Sequence, residues 1–324
     1  MKNLYFILCI CYWNVSYSQT YRPYDFENSL HGLTTIVSVN KYDPNHILYG
    51  SFGTGFFYHE YKGTLANWPD SNTNAVDTTL KNIWLITNKH VLFNDYERKN
   101  PHLPTAIQFY LRKIVKGQEV PVWDTLTIRE KDLAGIIKTH KDSSVDVVAI
   151  NVTKYILPLL LKGDSLYYYS AISKANFPNK DIYINMTRAT TTGSEILAIG
   201  YPRKFYDTFN LFPTVKSGII ASKWKAKFDS KPFFLIDCKL FPGSSGSLII
   251  SNFTTLGFSN GKTIGWFEFL GIYSGEFVKQ KETIQFEEMT ITRKENYNTG
   301  NVWYYYLIEE IIENDTLIGI RNSK

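Results

Sequence analysis

The amino-acid sequence predicts an all-β protein. Aromatic residues make up 16% of the 324 residues, with 23 Tyr and 21 Phe, and such side chains favour the half-buried surface of a strand. Most apolar segments are short and end at Gly, Pro, Asn or Asp, as strands joined by turns do. Helical patterns are scarce. Many short strands at close spacing indicate barrels or sandwiches, and the pattern alone leaves both open.

Strand patterns recur along the whole central part of the chain. The predicted strands are 52–59, 83–87, 106–111, 145–152, 195–200, 215–222, 233–238, 247–250 and 263–273. Residues 303–306 predict a strand, and Leu307 to Glu313 has the spacing of a short helix. Residues 153–169 look irregular and are interpreted as a crossover between two halves. Residues 279–301 are polar and predict a long surface loop or hairpin.

The first residues have the layout of a secretory signal peptide. Lys2 is followed by an apolar stretch from Leu4 to Trp13 and a mostly polar run from Asn14 to Gln19, which predicts cleavage after Ser18. An uncleaved membrane anchor is disfavoured, because a spanning helix needs about 20 apolar residues. We therefore predict a secreted or periplasmic protein with no membrane span after signal removal.

Charge and cysteine usage narrow the function classes further. The net charge of +5 is spread without a Lys/Arg block, so nucleic acid is not an expected partner. Cys9 and Cys11 lie in the predicted signal, which leaves Cys238 alone in the mature chain. No internal disulfide can form, and stability must come from the hydrophobic core. Cys238 follows an apolar run and is interpreted as a small buried residue rather than a nucleophile.

Three segments carry residues suited to acyl transfer. His90 ends an apolar strand, Asp146 heads another, and Ser245 lies in a glycine-rich turn. A serine hydroxyl is a poor nucleophile until a base removes its proton, and histidine suits that role because its pKa lies near neutral pH. A carboxylate behind the histidine fixes its tautomer and stabilises the imidazolium. The sequence therefore predicts a catalytic triad of these three residues.

The same turn predicts an oxyanion hole. Gly243 and Gly246 flank the serine, and glycine lets the main chain approach the reacting carbonyl closely. We expect the backbone N–H groups of Gly243 and Ser245 to bind the oxyanion that forms in the tetrahedral intermediate. No other role is predicted for the remaining histidines, which are interpreted as surface or core residues: His31, His46, His59, His102 and His140.

Two other hydrolase classes are excluded, the first by chain order and the second by the absence of its motif. All histidines precede Ser245, so the order serine, acid, histidine of the α/β-hydrolases is impossible for this serine. His59-Glu60 is not followed by a second histidine at zinc-protease spacing, since Tyr61, Lys62 and Gly63 come next. The order histidine, aspartate, serine remains, and the predicted mechanism needs no metal or cofactor.

Several motifs in this order resemble the trypsin-like peptidase family, especially its disulfide-free bacterial branch, which includes the HtrA-type proteases. The resemblance runs from Gly53 to Gly275. The matching segments are Gly53-Thr54-Gly55-Phe56, Ile86-Thr87-Asn88-Lys89-His90-Val91, Asp146-Val147-Val148-Ala149-Ile150, Ile199-Gly200-Tyr201-Pro202, Ser217-Gly218-Ile219-Ile220, Pro242-Gly243-Ser244-Ser245-Gly246-Ser247 and Leu270-Gly271-Ile272-Tyr273-Ser274-Gly275.

The resemblance implies a chymotrypsin-like fold of two packed antiparallel β-barrels of the six-stranded type, with a short C-terminal helix. The active site would lie in the cleft between the barrels, with His90 and Asp146 from the first and Ser245 from the second. The expected division of the chain is a signal peptide at 1–18, barrels at 19–160 and 161–300, and a C-terminal strand and helix at 301–324. The implied activity is that of a serine endopeptidase acting on protein or peptide substrates.

The resemblance also implies substrate-binding residues. Tyr273, Ser274 and Gly275 match the family's substrate-lining strand. In trypsin-like enzymes the residue six before the nucleophile often lies at the floor of the primary specificity pocket, and here it is Lys239. A lysine there would favour an acidic substrate side chain, although a lysine on an edge strand usually points outward.

The sequence departs from the family pattern at three places. Ser247 stands where the family usually has glycine, Ser244 replaces the aspartate that receives the freed N-terminus of digestive trypsins, and residues 64–81 lengthen the first hairpin. Two alternatives therefore stay open beside the endopeptidase. One is a catalytically silent binding module on the same fold, and the other is an esterase that uses the same site.

Overall fold

A computed structural model gives the structure of most of the chain between Leu30 and Asn314. The residues it describes are 30–42, 48–62, 80–94, 96–97, 101–114, 122–161, 166–168, 170–178, 190–203, 205–259, 262–277, 281–285, 290–294 and 298–314. The predicted signal peptide, His46 and most of the 64–81 segment lie outside these residues.

The N-terminal half forms one nine-stranded sheet. Its strands are β1 (Thr34–Tyr42), β2 (Leu48–Tyr61), β3 (Leu80–Thr87), β4 (Ala106–Ile114), β5 (Val122–Arg129), β6 (Ile137–Thr139), β7 (Val148–Asn151), β8 (Leu166–Tyr168) and β9 (Ile172–Ser173). They pair in the order β5-β4-β1-β2-β3-β7-β6, with β8 on β4 and β9 on β2. All described pairs in this sheet are antiparallel except β2 with β9. Its helices are α1 (Lys89–Leu92), α2 (Glu130–Leu133) and α3 (Thr153–Leu161).

The C-terminal half closes into a six-stranded barrel. Its strands are β10 (Glu195–Gly200), β11 (Thr214–Ile220), β12 (Phe233–Asp237), β13 (Leu248–Ser251), β16 (Phe269–Glu276) and β19 (Thr299–Tyr304), in the order β10-β11-β12-β19-β16-β13. Two hairpins extend from it, β14 (Thr254–Ser259) with β15 (Lys262–Trp266), and β17 (Lys281–Gln285) with β18 (Thr290–Lys294). Helix α4 (Leu307–Glu313) follows β19.

Alternating side chains join the two halves through an apolar interface. In β2, Phe57 packs inside the first sheet, whereas its neighbour Phe56 faces the barrel and lies 5.4 Å from the Phe269 ring, centroid to centroid. In β13, Ile249 belongs to the barrel interior and Leu248 to the shared interface. Successive side chains of a strand point to opposite faces. The strands at the junction are therefore apolar on both faces, and they bring the ends that carry the candidate site together.

The predicted fold class is confirmed: the protein is mostly β, with a six-stranded barrel, a second sheet and few helices. The first half uses nine strands in its sheet rather than six. The domain boundaries at residues 160 and 300 stay predictions. Strands β8 and β9 of the first sheet lie after residue 160, and most of β19 of the barrel lies after residue 300. The C-terminal helix and the hairpin within 279–301 are found as predicted.

The interpretation of residues 153–169 as irregular is wrong. Residues Thr153–Leu161 form α3, and Leu166–Tyr168 form β8. Pro158 lies inside α3, and a proline lacks the N–H that a helix interior needs, so the sequence argued against a helix. Burial of Ile156 in the first core favours the helix instead. Within the described residues, no helix has the length and hydrophobicity that crossing a membrane requires.

Candidate active site

His90 is placed by a single helical turn at the end of β3. Asn88 has an extended backbone and starts α1, so the chain turns sharply where the strand ends. The Asn88 side-chain amide donates to the Asp146 backbone carbonyl at 2.7 Å. This contact links the segment that carries His90 to the segment that carries Asp146, just before β7.

The Asp146 carboxylate accepts three hydrogen bonds. One oxygen accepts from His90 Nδ1 and from the Ser274 hydroxyl, each at 2.6 Å, and the other accepts from the His90 backbone N–H at 3.0 Å. Because an ionised carboxylate only accepts, the proton of a neutral His90 lies on Nδ1. The Nε2 atom then carries a lone pair. This arrangement suits a general base whose ring is fixed by an acid.

A buried lysine and a serine donate hydrogen bonds to the backbone carbonyls of the helical turn. Lys41 on β1 is 6% exposed, and its ammonium donates to the carbonyl oxygens of His90 and Val91 at 3.3 and 3.2 Å. The Ser51 hydroxyl also donates to the Val91 carbonyl, at 2.7 Å. Burial lowers the pKa of Lys41 to about 8. The main chain of α1 thus depends on a positive charge that is held away from water.

Two left-handed glycines shape the turn around Ser245. Gly243 has φ +96° and Gly246 has φ +85°. A Cβ at Gly243 would lie 2.7 Å from the Arg203 backbone nitrogen, and one at Gly246 would lie 2.0 Å from the Thr54 carbonyl oxygen. Only glycine combines this conformation with such close approach. Both positions therefore require glycine for geometric reasons.

The departure at Ser247 is accommodated by a third glycine. The Ser247 side chain is buried, and a Cβ at Gly200 would lie 2.0 Å from its hydroxyl oxygen. Gly200 on β10 thus leaves the room that the serine fills. The Ser244 side chain is also buried, at 1% exposure, and its hydroxyl has no hydrogen-bond partner within the described residues.

The turn leaves two backbone donors available. Within the described residues, neither the Gly243 N–H nor the Ser245 N–H has an acceptor. The Pro242 carbonyl accepts the Arg203 backbone N–H at 2.7 Å. The Gly243 N–H belongs to the same trans peptide unit, so it points in the direction opposite to that carbonyl. Two N–H groups next to a serine are the arrangement that binds an oxyanion.

The Ser245 hydroxyl donates to the Ser274 carbonyl oxygen at 3.2 Å. In the part of the chain that the structure describes, no hydrogen bond joins it to His90. Catalytic hydrogen bonds in ligand-free enzymes are often long and tighten when substrate binds. A proton transfer from Ser245 to His90 would require the hydroxyl to give up its bond to the Ser274 carbonyl.

Thr54 connects the two halves at this turn. Its backbone N–H donates to the Ser245 carbonyl at 2.8 Å, and its hydroxyl donates to the Gly243 carbonyl at 3.0 Å. The same hydroxyl accepts from the Tyr201 N–H at 2.9 Å, and the Thr87 hydroxyl donates to the Thr54 carbonyl at 2.6 Å. Thr54 is fully buried. One residue of the first sheet therefore hydrogen-bonds to the serine turn at both Gly243 and Ser245.

The four predicted substrate-binding residues differ in their exposure and in their distance from Ser245 and Asp146. Ser274 contacts both Asp146 and Ser245, and a Cβ at Gly275 would meet nothing within 4 Å. The Tyr273 side chain is 3% exposed and packs in the barrel interior. Its main-chain carbonyl accepts the Gly246 N–H at 2.8 Å, and its N–H donates to the Ser247 carbonyl at 3.0 Å. Lys239 is exposed, with its Nζ atom 5.9 Å from the centroid of the Phe241 ring.

The cysteine and the other histidines described here lie in surroundings that indicate structural roles. Cys238 is buried, and burial raises the pKa of its thiol, which disfavours the reactive thiolate. His140 contacts Glu310 of α4 at 2.8 Å, and burial lowers the pKa of His59 to about 4. No group of three or more possible metal ligands occurs among the residues that the structure describes.

Sequence reasoning missed Thr54, Lys41 and Asn88 as supports of the site, and it assigned Ser274 only to substrate binding. Thr54 and Asn88 lie inside the segments that carried the family resemblance, so the sequence marked their positions as part of the site. It did not indicate which atoms they contact. Lys41 offered none, because a lysine in an alternating strand is ordinarily read as exposed.

Residues 53–254 match the family model described as the trypsin-like peptidase domain. The match concerns the family as a whole and does not single out the HtrA-type branch. No curated protein shows significant similarity to the chain.

Solved structures of proteases show a distant likeness to this chain. The protease Anisep from Arthrobacter nicotinovorans is 13% identical, with 86% of this chain and 93% of that chain covered and a TM-score of 0.41. The Rv3671c protease from M. tuberculosis in its active form is 14% identical, with 91% of each chain covered and a TM-score of 0.42. An inactivated protease paralogue of the scabies mite is 11% identical, with 91% and 99% covered and a TM-score of 0.41. These likenesses are too distant to bear on activity.

Proposed function

Since the chain belongs to the trypsin-like peptidase domain family, we propose that it is a serine endopeptidase that cleaves peptide bonds through an acyl-enzyme. The observation that carries the proposal is the 2.6 Å contact between His90 Nδ1 and Asp146 beside a serine turn with two available N–H groups. These are the base, the orienting acid and the oxyanion donors that acyl transfer requires.

In the proposed mechanism, Ser245 Oγ leaves the Ser274 carbonyl and passes its proton to His90 Nε2 as it attacks the scissile carbonyl carbon. The Gly243 and Ser245 N–H groups stabilise the oxyanion. His90 then gives its proton to the leaving amine, and the acyl-enzyme forms on Ser245. A water molecule, activated by the same histidine, hydrolyses the ester and restores the serine. Asp146 stays ionised throughout and stabilises the imidazolium.

A fluorophosphonate probe tests this assignment. The wild-type chain should be labelled at Ser245, and Ser245→Ala should lose both labelling and peptide hydrolysis, by up to ~10⁶ in kcat. Ser217→Ala is the matched control, because Ser217 is an exposed serine on β11. Peptide cleavage that persists in Ser245→Ala would refute the assignment.

The same experiment separates the two alternatives from the proposal. A silent binding module would not react with the probe, whereas an esterase and a peptidase both would. Hydrolysis of simple esters, compared with that of a peptide library, then distinguishes the last two. The intact set of donors and acceptors around Asp146 favours an enzyme over a silent module, since a binding module has no need of an oriented imidazole.

For substrate preference, we propose that Lys239 favours an acidic side chain. Lys216 lies nearby, with its Nζ atom 4.9 Å from the centroid of the same Phe241 ring and bonded to the Lys239 carbonyl oxygen. Two ammonium groups beside the serine turn would attract a carboxylate. A cleavage profile of a peptide library should show acidic residues before the scissile bond. Lys239→Glu should remove that preference, and an unchanged profile would exclude it.

We further propose that the protein is exported and that cleavage after Ser18 suffices for activity. The buried hydroxyl of Ser244 offers no carboxylate for a freed N-terminus, which supports a site that forms without further trimming. A chain that starts at Gln19 and carries a blocking N-terminal tag should cleave peptides. Activity that arises only after additional processing would contradict this proposal, and N-terminal sequencing of the exported protein tests the cleavage position.

A further inference from the structure

The loop that joins β10 to β11 exposes two phenylalanines. Phe205 is 61% exposed and Phe209 is 84% exposed. Single exposed apolar side chains are common on protein surfaces and need no explanation. A contiguous exposed set is different, because it marks a surface that something else covers.

Phe205 is the exposed member of a group of neighbouring rings whose other members are partly exposed. Its ring stacks on the Phe241 ring, with 5.0 Å between the centroids, and the adjacent Tyr206 stacks on Phe52 at 6.1 Å. We call these four rings, Phe52, Phe205, Tyr206 and Phe241, the aromatic platform. They come from β2, from the β10–β11 loop and from the turn that carries Ser245.

The aromatic platform borders the predicted oxyanion hole. A Cβ at Gly243 would lie 3.0 Å from Cε1 of Phe52, so this ring packs against the glycine itself. Phe241 lies two residues before Gly243 in the chain. A substrate with its carbonyl oxygen at the Gly243 N–H would therefore lie next to the Phe52 ring.

The loop that presents the aromatic platform is held in place. The Tyr201 hydroxyl and the Arg112 guanidinium donate to the Leu211 carbonyl at 3.0 and 3.3 Å. The Asp207 carboxylate accepts the backbone N–H groups of Phe209 and Asn210, each at 2.9 Å. Because these bonds order the loop before any ligand arrives, little conformational entropy is lost on binding.

The position of Phe52 indicates which half of a substrate the rings contact. Its neighbours Ser51 and Gly53 both contact Val91, the residue after His90: the Ser51 hydroxyl bonds the Val91 carbonyl, and a Cβ at Gly53 would lie 2.7 Å from Val91 Cγ2. His90 delivers its proton to the leaving amine. Ser274, in contrast, reaches Ser245 from β16. The β2 side therefore faces the leaving segment.

We propose that the aromatic platform is a subsite for an apolar side chain of the substrate segment that leaves with the amine. This inference rests on the proposed peptidase function and adds a substrate class to it. An aromatic or branched aliphatic side chain would remove apolar surface from water on both partners and could stack on the exposed face of Phe205.

Two substrate series with the same acyl part test the proposal on the mature chain. One series carries a p-nitroanilide, which places no residue after the scissile bond. The other is a set of internally quenched peptides with Phe, Leu, Ser or Gly at the first two positions after that bond. We expect wild type to favour Phe or Leu over Gly by roughly tenfold in kcat/KM, as expected for one apolar contact. Phe205→Ser should reduce that ratio to about twofold, when normalised to its own p-nitroanilide rate.

Phe253→Ser is the matched control, because Phe253 is an exposed phenylalanine between β13 and β14; it should keep the wild-type preference. A wild-type enzyme with no preference after the scissile bond, or a Phe205→Ser variant that retains it, would overturn the subsite while leaving the peptidase intact. Failure of the probe to label Ser245, with no cleavage of either series, would instead overturn the peptidase function and the subsite together.

Discussion

The two halves of the molecule hold their parts of the candidate site by different means. In the first sheet, His90 and Asp146 are positioned by side-chain hydrogen bonds, from Asn88 and Lys41 of the same half and from Ser274 of the barrel. In the barrel, Ser245 is positioned by the main chain, through the left-handed conformations of Gly243 and Gly246. The first arrangement depends on donors and acceptors, and the second depends on the absence of side-chain atoms.

This difference predicts different sensitivities to mutation. An isosteric change that alters only hydrogen bonding should damage the first half and spare the second. Addition of one methyl group should do the reverse. Thr54 belongs to both arrangements, since its hydroxyl and its main chain each contact the serine turn from the first sheet.

The largest expected effect is that of Asp146→Asn. The amide has the shape of the carboxylate, but it donates where His90 Nδ1–H now donates, so it favours the wrong tautomer and cannot stabilise the imidazolium. We expect kcat for peptide hydrolysis to fall by about 10⁴ with little change in thermal unfolding. Asp142→Asn, at an exposed aspartate in the same loop, should stay close to wild type. A loss below tenfold for Asp146→Asn would show that side-chain bonding does not govern this half.

Gly246→Ala should have the next largest effect. Its Cβ would lie 2.0 Å from the Thr54 carbonyl oxygen in a left-handed conformation, so the turn must move. We expect a loss of about 2 to 4 kcal/mol in the free energy of unfolding. A displacement of Ser245 of about 1 Å should also lower kcat roughly 10²-fold. Denaturant unfolding and peptide hydrolysis measure the two effects.

Gly50→Ala is the control for that change. Gly50 lies on β2, and the nearest atom to an added Cβ there is 3.9 Å away, so the variant should unfold and cleave like wild type. Equal behaviour of Gly246→Ala and Gly50→Ala would show that the serine turn is not specified by its glycines.

The smallest effect concerns the charge behind His90. Burial lowers the pKa of Lys41 from 10.5 to about 8, so between these pH values the unfolded chain binds a proton that the folded chain has lost. Stability from this group therefore rises with pH across the window. The free energy of unfolding of wild type minus that of Lys41→Met should increase by about 1 to 3 kcal/mol between pH 7 and pH 10.5.

Activity should change in the opposite direction. Loss of the ammonium charge above pH 8 weakens its bonds to the His90 and Val91 carbonyls, and we expect a decline of kcat of about tenfold or less that Lys41→Met lacks. Lys227→Met, at an exposed lysine, controls for the lost charge. A constant stability difference across the window would exclude a buried ammonium at this position.

Much of the fold and the core of the site could be predicted from local pattern. The strands around His90, Asp146 and Ser245 and helix α4 were predicted because their periodicity and turn residues are local properties. The nine-stranded sheet was not, since β1 pairs with β4, Val37 opposite Phe109, and the two strands are far apart in the chain. Helix α3 was not predicted: it contains Pro158, which lacks the N–H of a helix interior, and the burial of Ile156 that favours the helix is a property of the packed core.

The sequence by itself determined which residues could act as base, acid and nucleophile, because chemistry and chain order need no coordinates. Only the tertiary structure decided how they are held. The Thr54 hydroxyl reaches Gly243 across 189 positions of chain, and the Ser274 hydroxyl reaches Asp146 across 128. Such contacts depend on how two separately formed cores dock on each other, and periodicity along one strand carries no information about that docking.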